Sequence, residues 1–541
     1  MPLDDEFIGR NLLSPDERNI YHLLQAIQRL HQAVPASVGK ARRPGADGIG
    51  YAERETHWNI PRAGRDDSTL AETVQEVFAG GVQWHNPLAM INVTPSPLFA
   101  GVAAMTMANL YNQNALWDFT SGAALQVERK MVMGLGRILA DYGPRSGGIG
   151  TSGGKAAMTY AIKLAINRIE PEAVVHGVRK RHVVFASACA HYSIEWTLNQ
   201  LGLGSAACTR IPCDSTGRMR AAALETRLRR AVAEGYCVSA IILAGGDTID
   251  HIVDPIDEVV EMIDALLSTM KLTYRPFIYV DLVSGWIWRL FRGYDFSAND
   301  LSLSSADARY VRHKLAELAS LSHVDGIGVD LHKLGLCPYG SSFFLCREGA
   351  ELLAINGAKR PLGEVKFGEL HAHHFTFENS RTTAGIAAAW ATLNQLGLDG
   401  LRAYAVKLMN ISGMVLQALA EWPDDFTVLP RPECWRVPLF TLRFHGGASA
   451  SDTDVRRFHA VVSSLVQEGA VGVPLIGLVP EYKLEGFPAR PVLMAYPMSL
   501  FMTQSSARAA VMSLVEIKRR FRRGKPMAVA HLDPDFHLPP R

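Results

Sequence analysis

A single lysine, Lys333, lies in the segment VDLHKLGLCPYG, between the end of an apolar run and a stretch punctuated by Pro and Gly. A solvated surface lysine is the ordinary interpretation of such a position. The alternative is a lysine used for its amine, which can form a Schiff base with an aldehyde. The polar residues that follow other apolar runs in the chain bear on this choice.

Two of these polar residues are Asp281, a carboxylate, and His191, an imidazole. Asp281 follows the run PFIYV, and a carboxylate there is costly to bury unless a cation pairs with it. That cation is either a structural side chain or the protonated nitrogen of a heterocyclic ligand. His191 follows the run HVVFAS, where an imidazole is either a hydrogen-bonded core histidine or a ring that stacks on a planar ligand.

A glycine-rich segment, GIGTSGGKAAMTYAIK, leads into a predicted helix with Ser152, Gly153 and Gly154 at its start. Free backbone N–H groups and the helix dipole at such a start favour an anion, most simply a phosphate, although a tight turn alone explains the glycines equally well. The segment is neither a Walker motif nor a dinucleotide fingerprint. Thr248 and Asp254 follow another apolar run, where capping of a loop is the simplest explanation for both.

The elements that must position these residues alternate between helices and short apolar strands from about residue 125 onward. The predicted strands are HVVFAS, VSAIILAG, PFIYVDLV and GIGVDL, and the predicted helices cover 125–140, 155–168, 221–234 and 256–270. This alternation predicts an α/β fold with a mainly parallel sheet that is covered on both faces. Ligands bind at the carboxyl ends of such strands, where the polar residues lie.

Three regions are predicted along the chain. Residues 1–120 form an N-terminal arm, 121–398 a large ligand-binding domain, and 399–541 a small α+β domain with the strands VPLFTLRF and RPVLMAYP. Within the arm, Ser14 and Glu17 predict a capping box at the start of a helix.

Composition excludes several classes of function. The chain has 541 residues, a net charge of +2 and 20% charged residues, so no nucleic acid partner is expected. The acidic N-terminus, the absence of a bilayer-length apolar run and seven cysteines without a CxxC pair predict a cytoplasmic protein without a membrane partner or structural disulfides.

The order of TSGGKAA, AHYSIE, YVDLVSGW and DLHKLGLCPYGSS resembles the group II pyridoxal 5′-phosphate (PLP)-dependent amino-acid decarboxylases. The segments WHNPLAMIN, LYNQN and ENSRTTAGIAAAW are also similar to that family, and the HKxGxxPYG pattern is most like its bacterial tyrosine decarboxylase branch. The resemblance implies the aspartate aminotransferase-like fold (fold type I) with a seven-stranded sheet. It also implies a homodimer with active sites at the subunit interface.

The resemblance assigns a role to each matching residue. Lys333 matches the Schiff-base lysine, Asp281 the partner of the pyridine nitrogen, and His191 the histidine that stacks on the ring. The remaining matches to cofactor-binding positions are Ser152, Gly153, Gly154, Lys155, Thr248, Asp254 and His332. Lys155 stands where Ser or Thr is usual, so it either adds a charge to the phosphate site or points away from it. His85, Asn86 and Asn92 match the segment that lines the substrate entrance.

The implied reaction is the decarboxylation of an L-amino acid to an amine and CO₂. Many family members protonate Cα with a tyrosine from a loop after the lysine, but this chain has no tyrosine between Tyr339 and Tyr404. We therefore predict His371 or His373 as the proton donor. An aldehyde product, formed by decarboxylation-dependent oxidative deamination, is the rival outcome. The HAHH sequence lacks further ligands at metal-binding spacing, so no metal is expected.

The substrate and the wider class of enzyme remain open at the level of sequence. The mostly apolar segment PLAMINVTPSPLF favours an aromatic, methionine or branched aliphatic side chain. Arg381 either binds an acidic group or forms an ion pair within the fold. A transaminase, another fold-type I PLP enzyme or an inactive scaffold of the same fold are the alternatives to a decarboxylase.

Overall fold

The computed structural model describes residues 10–33, 59–64, 70, 77–78, 81–356, 370–429, 437–444, 449–482 and 489–522. Within these ranges two sheets are covered by helices. The strands, β1 to β12 in chain order, are Ala89–Met90, Gly147–Thr151, His182–Ser187, Cys208–Ile211, Cys237–Ala244, Phe277–Asp281, Gly326–Asp330, Ser342–Cys346, Phe426–Val428, Leu439–Leu442, Leu475–Tyr482 and Arg490–Met494.

Helices make up most of the remaining described structure. The α-helices, α1 to α15 in chain order, are Tyr21–Ala33, Phe99–Leu110, Asp118–Ser121, Ala124–Ala140, Gly154–Ile169, Ala173–His176, Ser193–Gln200, Ala221–Ala233, Ile256–Thr269, Trp286–Arg289, Ser305–Glu317, Leu331–Leu334, Ala384–Ala420, Asp452–Gln467 and Gln504–Arg522. Short 3-10 helices are Arg18–Ile20, Ser205–Ala207, Ala319–His323, Gly349–Ala354 and Ala372–His374.

The large sheet has seven strands in the order β2-β8-β7-β6-β5-β3-β4. The strands β7, β6, β5, β3 and β4 are parallel, whereas β8 runs antiparallel to both β7 and β2. All four strands predicted from apolar runs are present, and their side chains are buried because helices cover both faces of the sheet. The predicted α/β fold with a mainly parallel seven-stranded sheet is confirmed.

The glycine-rich segment departs from the prediction, because Gly147–Thr151 is strand β2 and not part of a turn. A Cβ on Gly148 would lie 2.3 Å from the carbonyl oxygen of Phe344 in β8, so glycine permits the close approach of the two strands. The turn is confined to the residues just before helix α5, which begins at Gly154.

The second sheet has five strands in the order β1-β11-β12-β10-β9. It contains both strands predicted for the C-terminal region. It also takes in β1 from the N-terminal segment, which pairs in parallel with β11. The strands β1 and β11 are far apart in the sequence, so no local sequence pattern indicates that they pair. The three-region division of the chain stays a prediction.

The N-terminal helix begins later than predicted. The Ser14 hydroxyl bonds to the side chains of Asp16 and Asn19, and Glu17 has a left-handed backbone with a φ of 56°. The predicted capping box is therefore wrong, and a 3-10 turn precedes a helix that starts at Tyr21.

Helix α13 joins the two sheets and packs against α2 and α15. Gly397 interrupts it with a φ of 61° and a ψ of −176°, so two helical segments meet at a kink. By length and composition alone, α13 is the one helix of the described ranges that qualifies as a membrane span. More than half of its most apolar window (56%) is buried inside the fold, which is the pattern of a core helix.

Candidate active site

A cavity of about 360 Å³ opens at the carboxyl edge of the parallel strands. Six of the residues predicted for the site line it: Gly154, Lys155, His191, Thr248, Asp281 and Lys333. They come from five segments that are far apart in the sequence. The topology brings them together because the parallel strands all end at the same edge of the sheet.

Lys333 lies on the short helix α12, directly after β7. Leu331 and Leu334 are fully buried and anchor this helix, while the Lys333 side chain extends into the cavity. Its Nζ lies 3.1 Å from Oδ2 of Asp330, whose side chain is only 2% exposed. The other carboxylate oxygen, Oδ1, is buried without a hydrogen-bond partner in the described part of the chain.

Asp281 is the last residue of β6 and borders the cavity. Its carboxylate accepts a long hydrogen bond from the Val283 N–H at 3.4 Å. The residue keeps some exposed surface toward the cavity, but protein encloses the carboxyl group. Burial raises the pKa of Asp281 to about 6, against the opposing effect of the nearby Lys333 ammonium. An additional cation near this buried carboxyl group would stabilise its ionised form.

His191 follows β3 at the open side of the cavity. Its Nδ1 accepts a hydrogen bond from the Ser193 N–H at 3.2 Å and lies 2.8 Å from the Ser193 hydroxyl. Arg210 donates to the carbonyl oxygens of Ala190 and His191 at 2.8 and 3.1 Å and so holds this turn in place. Burial of the ring and the charges of Lys333 and Arg210 lower the pKa of His191. The imidazole is therefore neutral at neutral pH.

The start of helix α5 forms the other end of the cavity. A Cβ on Gly154 would lie 2.7 Å from Cγ1 of Val283 and 3.2 Å from Oδ2 of Asp330, so glycine keeps this space open. Lys155 lines the cavity, and its Nζ lies 5.6 Å from the ring centre of Trp196, a cation–π contact. Ser152 and Gly153 lie at the helix start, but neither belongs to the cavity lining.

Asp254 and His332 support the site from behind and do not line the cavity. The Asp254 carboxylate accepts the N–H groups of Met219 and Ala244 at 2.6 and 2.7 Å, and burial raises its pKa to about 7. His332 contacts the Ser342 hydroxyl through Nδ1 at 3.1 Å. Both residues fix strand ends around the cavity, so direct contact with a cofactor stays a prediction.

Two of the three predicted entrance residues bond within their own segment, and the third contacts the C-terminal region. The Asn86 and Asn92 side chains accept the N–H groups of Leu88 and Val93 at 2.9 and 2.8 Å. The carbonyl oxygen of His85 accepts the Ser499 hydroxyl at 2.6 Å. None of the three predicted residues lines the cavity of its own chain. Their role in substrate binding stays a prediction.

The predicted proton donors, His371 and His373, pack edge-on against Trp117 at 6.1 and 6.0 Å. The His373 N–H also donates to the Leu116 carbonyl at 3.2 Å. Neither imidazole lines the cavity that contains Lys333. The structure does not place them within reach of the site in the same subunit. Phe367, in the same segment, lies outside the described residues.

Arg381 forms an ion pair within the fold. Its two terminal nitrogens bond to the two Glu128 carboxylate oxygens at 2.8 and 2.9 Å, and both side chains are largely buried. The guanidinium also donates to the Gly150 carbonyl at 3.1 Å. This answers the question left open by the sequence, because both terminal nitrogens of the guanidinium bond to Glu128, away from the cavity.

Sequence reasoning missed four residues that line the cavity, namely Asp330, Asp247, Cys189 and Tyr192. Asp330 ends an apolar strand just as Asp281 does, so the same signal identifies it. Asp247 accepts the Ile252 N–H at 2.6 Å, and burial raises its pKa to about 6. No sequence pattern distinguishes this aspartate from an ordinary loop residue.

The lining of the cavity fits PLP in three respects. The Lys333 amine suits an aldehyde, the enclosed Asp281 carboxyl suits a protonated ring nitrogen, and the neutral His191 ring suits stacking. The open start of helix α5 suits a phosphate, with Lys155 nearby. The Asp330 carboxylate, whose Oδ2 would lie 3.2 Å from a Cβ on Gly154, is a group near this helix start that a phosphate would repel.

Comparison with known proteins agrees with this chemistry. The chain is 27% identical over 408 residues to an L-2,4-diaminobutyrate decarboxylase of Rhizobium meliloti, covering 72% of this chain and 75% of that protein. It is 26% identical over 369 residues to a probable L-tyrosine/L-aspartate decarboxylase of Methanoculleus marisnigri, covering 65% and 84%. Its homologues are group II PLP-dependent amino-acid decarboxylases. The tyrosine branch in particular is not shown.

Other comparisons include a shorter sequence match and a similarity of fold. A match to a glutamate decarboxylase-like protein of Gibberella zeae, 26% identical over 209 residues, spans only 38% of this chain and 40% of that protein. A crystal structure of Oryza sativa TDC with PLP and tryptamine superimposes with a TM-score of 0.72 at 17% identity, covering 96% of this chain and 99% of that one. This likeness shows the fold. No family model matches the chain.

Proposed function

We propose that this protein is a PLP-dependent carboxy-lyase that converts an L-amino acid to the corresponding amine and CO₂. The observation that carries the proposal is the Lys333 amine in the same cavity as the enclosed Asp281 carboxyl. Bound PLP supplies an electron-withdrawing ring that weakens the bond between Cα and the carboxylate.

The side chains of the cavity have separate tasks in this reaction. Asp281 would hold a proton at the ring nitrogen, and the positive charge there would keep the carboxylate ionised. His191 would stack on the ring, held by the Ser193 N–H. Lys333 would bind the aldehyde carbon. The Lys333 amine lies 3.1 Å from Oδ2 of Asp330, a contact that holds it in the cavity.

The direct test is CO₂ release from the PLP-loaded protein with each of the twenty amino acids. We expect stoichiometric amine and CO₂ without an added keto acid. A strict requirement for a keto-acid acceptor would indicate a transaminase and refute the proposal. Borohydride reduction followed by peptide mapping should place the cofactor on Lys333, and a map without that adduct would refute the site.

For the substrate we propose a hydrophobic side chain: aromatic, methionine or branched aliphatic. Support comes from the cavity lining, which among the described residues includes Met158, Ile249 and Val283 and no arginine, and from the engagement of Arg381 by Glu128. The carboxylates that line the cavity disfavour an acidic side chain. Turnover of 2,4-diaminobutyrate, with none of the hydrophobic amino acids accepted, would overturn this assignment.

We also propose that the active unit is a homodimer. Apolar side chains at or near helix α2 are exposed on the single chain, with Phe99 90% and Phe119 65% exposed, and Trp390 on the adjacent α13 is 40% exposed. Burial of these side chains against a second copy would remove apolar surface from water. Analytical ultracentrifugation tests the state, and Phe99→Asp should shift a dimer toward monomer. A wild-type monomer at micromolar concentration would refute the proposal.

The product distinguishes decarboxylation from the rival oxidative reaction. The proposed proton donor is His371 or His373, and its place in the reaction requires a second subunit, because neither ring lines the cavity of its own chain. Amine without peroxide supports decarboxylation. Aldehyde with peroxide and ammonia, formed only in the presence of oxygen, would favour the rival.

A further inference from the structure

Two cysteines meet beside the cofactor cavity at the end of neighbouring strands. Cys189 lies two residues after β3 and Cys213 lies two residues after β4. The strands are parallel, and their last residues, Ser187 and Ile211, are direct partners. The Ala188 N–H still donates to the Ile211 carbonyl oxygen at 2.9 Å, so the pairing continues past the strand ends. The Ser187 hydroxyl lies 3.3 Å from Cys213 Sγ and accepts the Cys189 N–H at 3.4 Å, which places the two cysteines side by side.

The surroundings divide the two thiols into different roles. The hydrogen bond from Cys189 lowers the pKa of Cys213 to about 6, although burial opposes this, and the Ser187 hydroxyl at 3.3 Å adds to the effect. The hydrogen bond to Cys213, together with burial, raises the pKa of Cys189. Cys213 is therefore the thiolate and Cys189 the thiol at neutral pH.

The charged groups around the pair are those of the cavity wall. The carboxylates of Asp247 and Asp254 act against ionisation of Cys189, and Asp254 also feels the charge of Cys213. The Arg210 guanidinium, which lies on β4, interacts favourably with Cys189. These groups are tied to the backbone by hydrogen bonds.

We propose that Cys189 and Cys213 form a redox-active dithiol at the edge of the cofactor cavity, which hydrogen peroxide oxidises to an intramolecular disulfide. The Cys213 thiolate attacks one peroxide oxygen, the O–O bond breaks, and the leaving hydroxide takes a proton to form water. The Cys189 thiol then attacks the resulting sulfenic sulfur, an S–S bond forms, and the S–O bond breaks as a second water leaves. The two sulfurs lose two electrons, which peroxide gains.

The other described cysteines are poor targets for the same reaction. Burial raises the pKa of Cys208, Cys337 and Cys346 to about 12 and also raises the pKa of Cys237, so these four remain thiols at neutral pH. Cys189 is exposed, whereas Cys337 and Cys346 are buried. Oxidation should therefore be selective for the pair.

Oxidation of the pair should act on the cofactor cavity. Cys189 lines the cavity and lies two residues before His191, on the same turn. A bond that draws Cys189 onto Cys213 shifts this turn and the stacking ring with it. The oxidation of the two thiols does not depend on the proposed function. Only the activity measurement rests on the proposed function.

The experiment treats the PLP-loaded protein with hydrogen peroxide near neutral pH, blocks free thiols and maps the tryptic peptides. Cleavage gives peptide 182–210, which holds Cys189 and Cys208, and peptide 211–218, which holds Cys213. We expect these peptides to become linked, with Cys213 reacting about tenfold faster than Cys208 because it has far more thiolate. The link should form equally in the matched control Cys208→Ser and should vanish in Cys213→Ser.

Activity provides the second measurement. Peroxide should lower the rate of CO₂ release in wild type and in Cys208→Ser, and a dithiol reductant should restore it. Cys213→Ser should keep its own untreated rate. A Cys208–Cys213 link, or no link, would overturn the dithiol. A Cys189–Cys213 link that leaves the rate unchanged would overturn its effect on the cavity. If the protein releases no CO₂ at all, the peptide map still decides the dithiol.

Discussion

The enclosed carboxyl of Asp281 should destabilise the cofactor-free protein, and Asp281→Asn should relieve this cost. Burial raises the pKa from 3.8 to about 6, a shift of roughly two units. Each unit corresponds to about 1.4 kcal/mol, so the ionised carboxyl lowers the free energy of unfolding by roughly 3 kcal/mol. Asparagine has a similar shape and carries no charge, so the cofactor-free variant should be more stable by up to that amount.

The pH dependence follows from the direction of the shift. Because the folded-state pKa is raised, the folded protein binds more protons than the unfolded chain between about pH 4 and pH 6. The destabilisation is therefore absent below about pH 4, grows through this window, and is complete above about pH 6. The stability difference between Asp281→Asn and wild type should grow over the same window.

Urea unfolding of the cofactor-free proteins, at about pH 4 and about pH 7.5, measures this difference. The exposed Asp300→Asn variant is the matched control and should leave both midpoints unchanged. Added PLP should then stabilise wild type far more than Asp281→Asn, because only the carboxylate can pair with a protonated ring nitrogen. A cofactor-free Asp281→Asn protein that is no more stable than wild type at about pH 7.5 would refute the reasoning.

Three further predictions concern other residues of the site and its supports. Lys333→Ala should lower CO₂ release by roughly 1,000-fold or more and abolish the borohydride-stable adduct, since the other lysine that lines the cavity, Lys155, has its amine over the Trp196 ring. An adduct of wild-type yield in this variant would contradict the assignment. Arg381→Ala should cost about 3–5 kcal/mol in urea unfolding, because it leaves Glu128 charged and unpaired in the interior. A raised KM for the substrate at an unchanged free energy of unfolding would instead make Arg381 a substrate ligand. The double variant Arg381→Met with Glu128→Leu removes both charges and should restore the stability that Arg381→Ala loses. Either His371→Ala or His373→Ala, whichever removes the proton donor, should slow amine formation about 100-fold. Wild-type rates in both variants would exclude His371 and His373 as proton donors.

The fold could be predicted well from sequence wherever a strand is fully buried. HVVFAS, PFIYV and GIGVD form long apolar runs because helices cover both faces of the sheet, so the runs are visible without any partner strand. Strand β2 was hidden because its three glycines resemble a turn, and only the close approach of Gly349, Phe344 and the Glu128 side chain explains them. Strand β1 has two residues and pairs with a segment almost 400 residues away, which no local pattern reports.

The sequence by itself determined the chemical character of the site. Lys333, Asp281 and His191 stand at the ends of apolar runs, and their types and order alone suffice to indicate a cofactor with an aldehyde and a basic ring nitrogen. The order of the motifs around them also shows the resemblance to the group II PLP-dependent decarboxylases, because this order can be read from the chain without the fold.

Tertiary structure alone decided which of these residues share a cavity and what else enters it. It placed Asp330 against the Lys333 amine, enclosed Asp281, engaged Arg381 with Glu128, and set Asp254 behind the wall. It also set Cys189 against Cys213. The physical reason is that pKa, ion pairing and thiol contact depend on distance and burial, and both are fixed by strands that are adjacent in the sheet but separated along the chain.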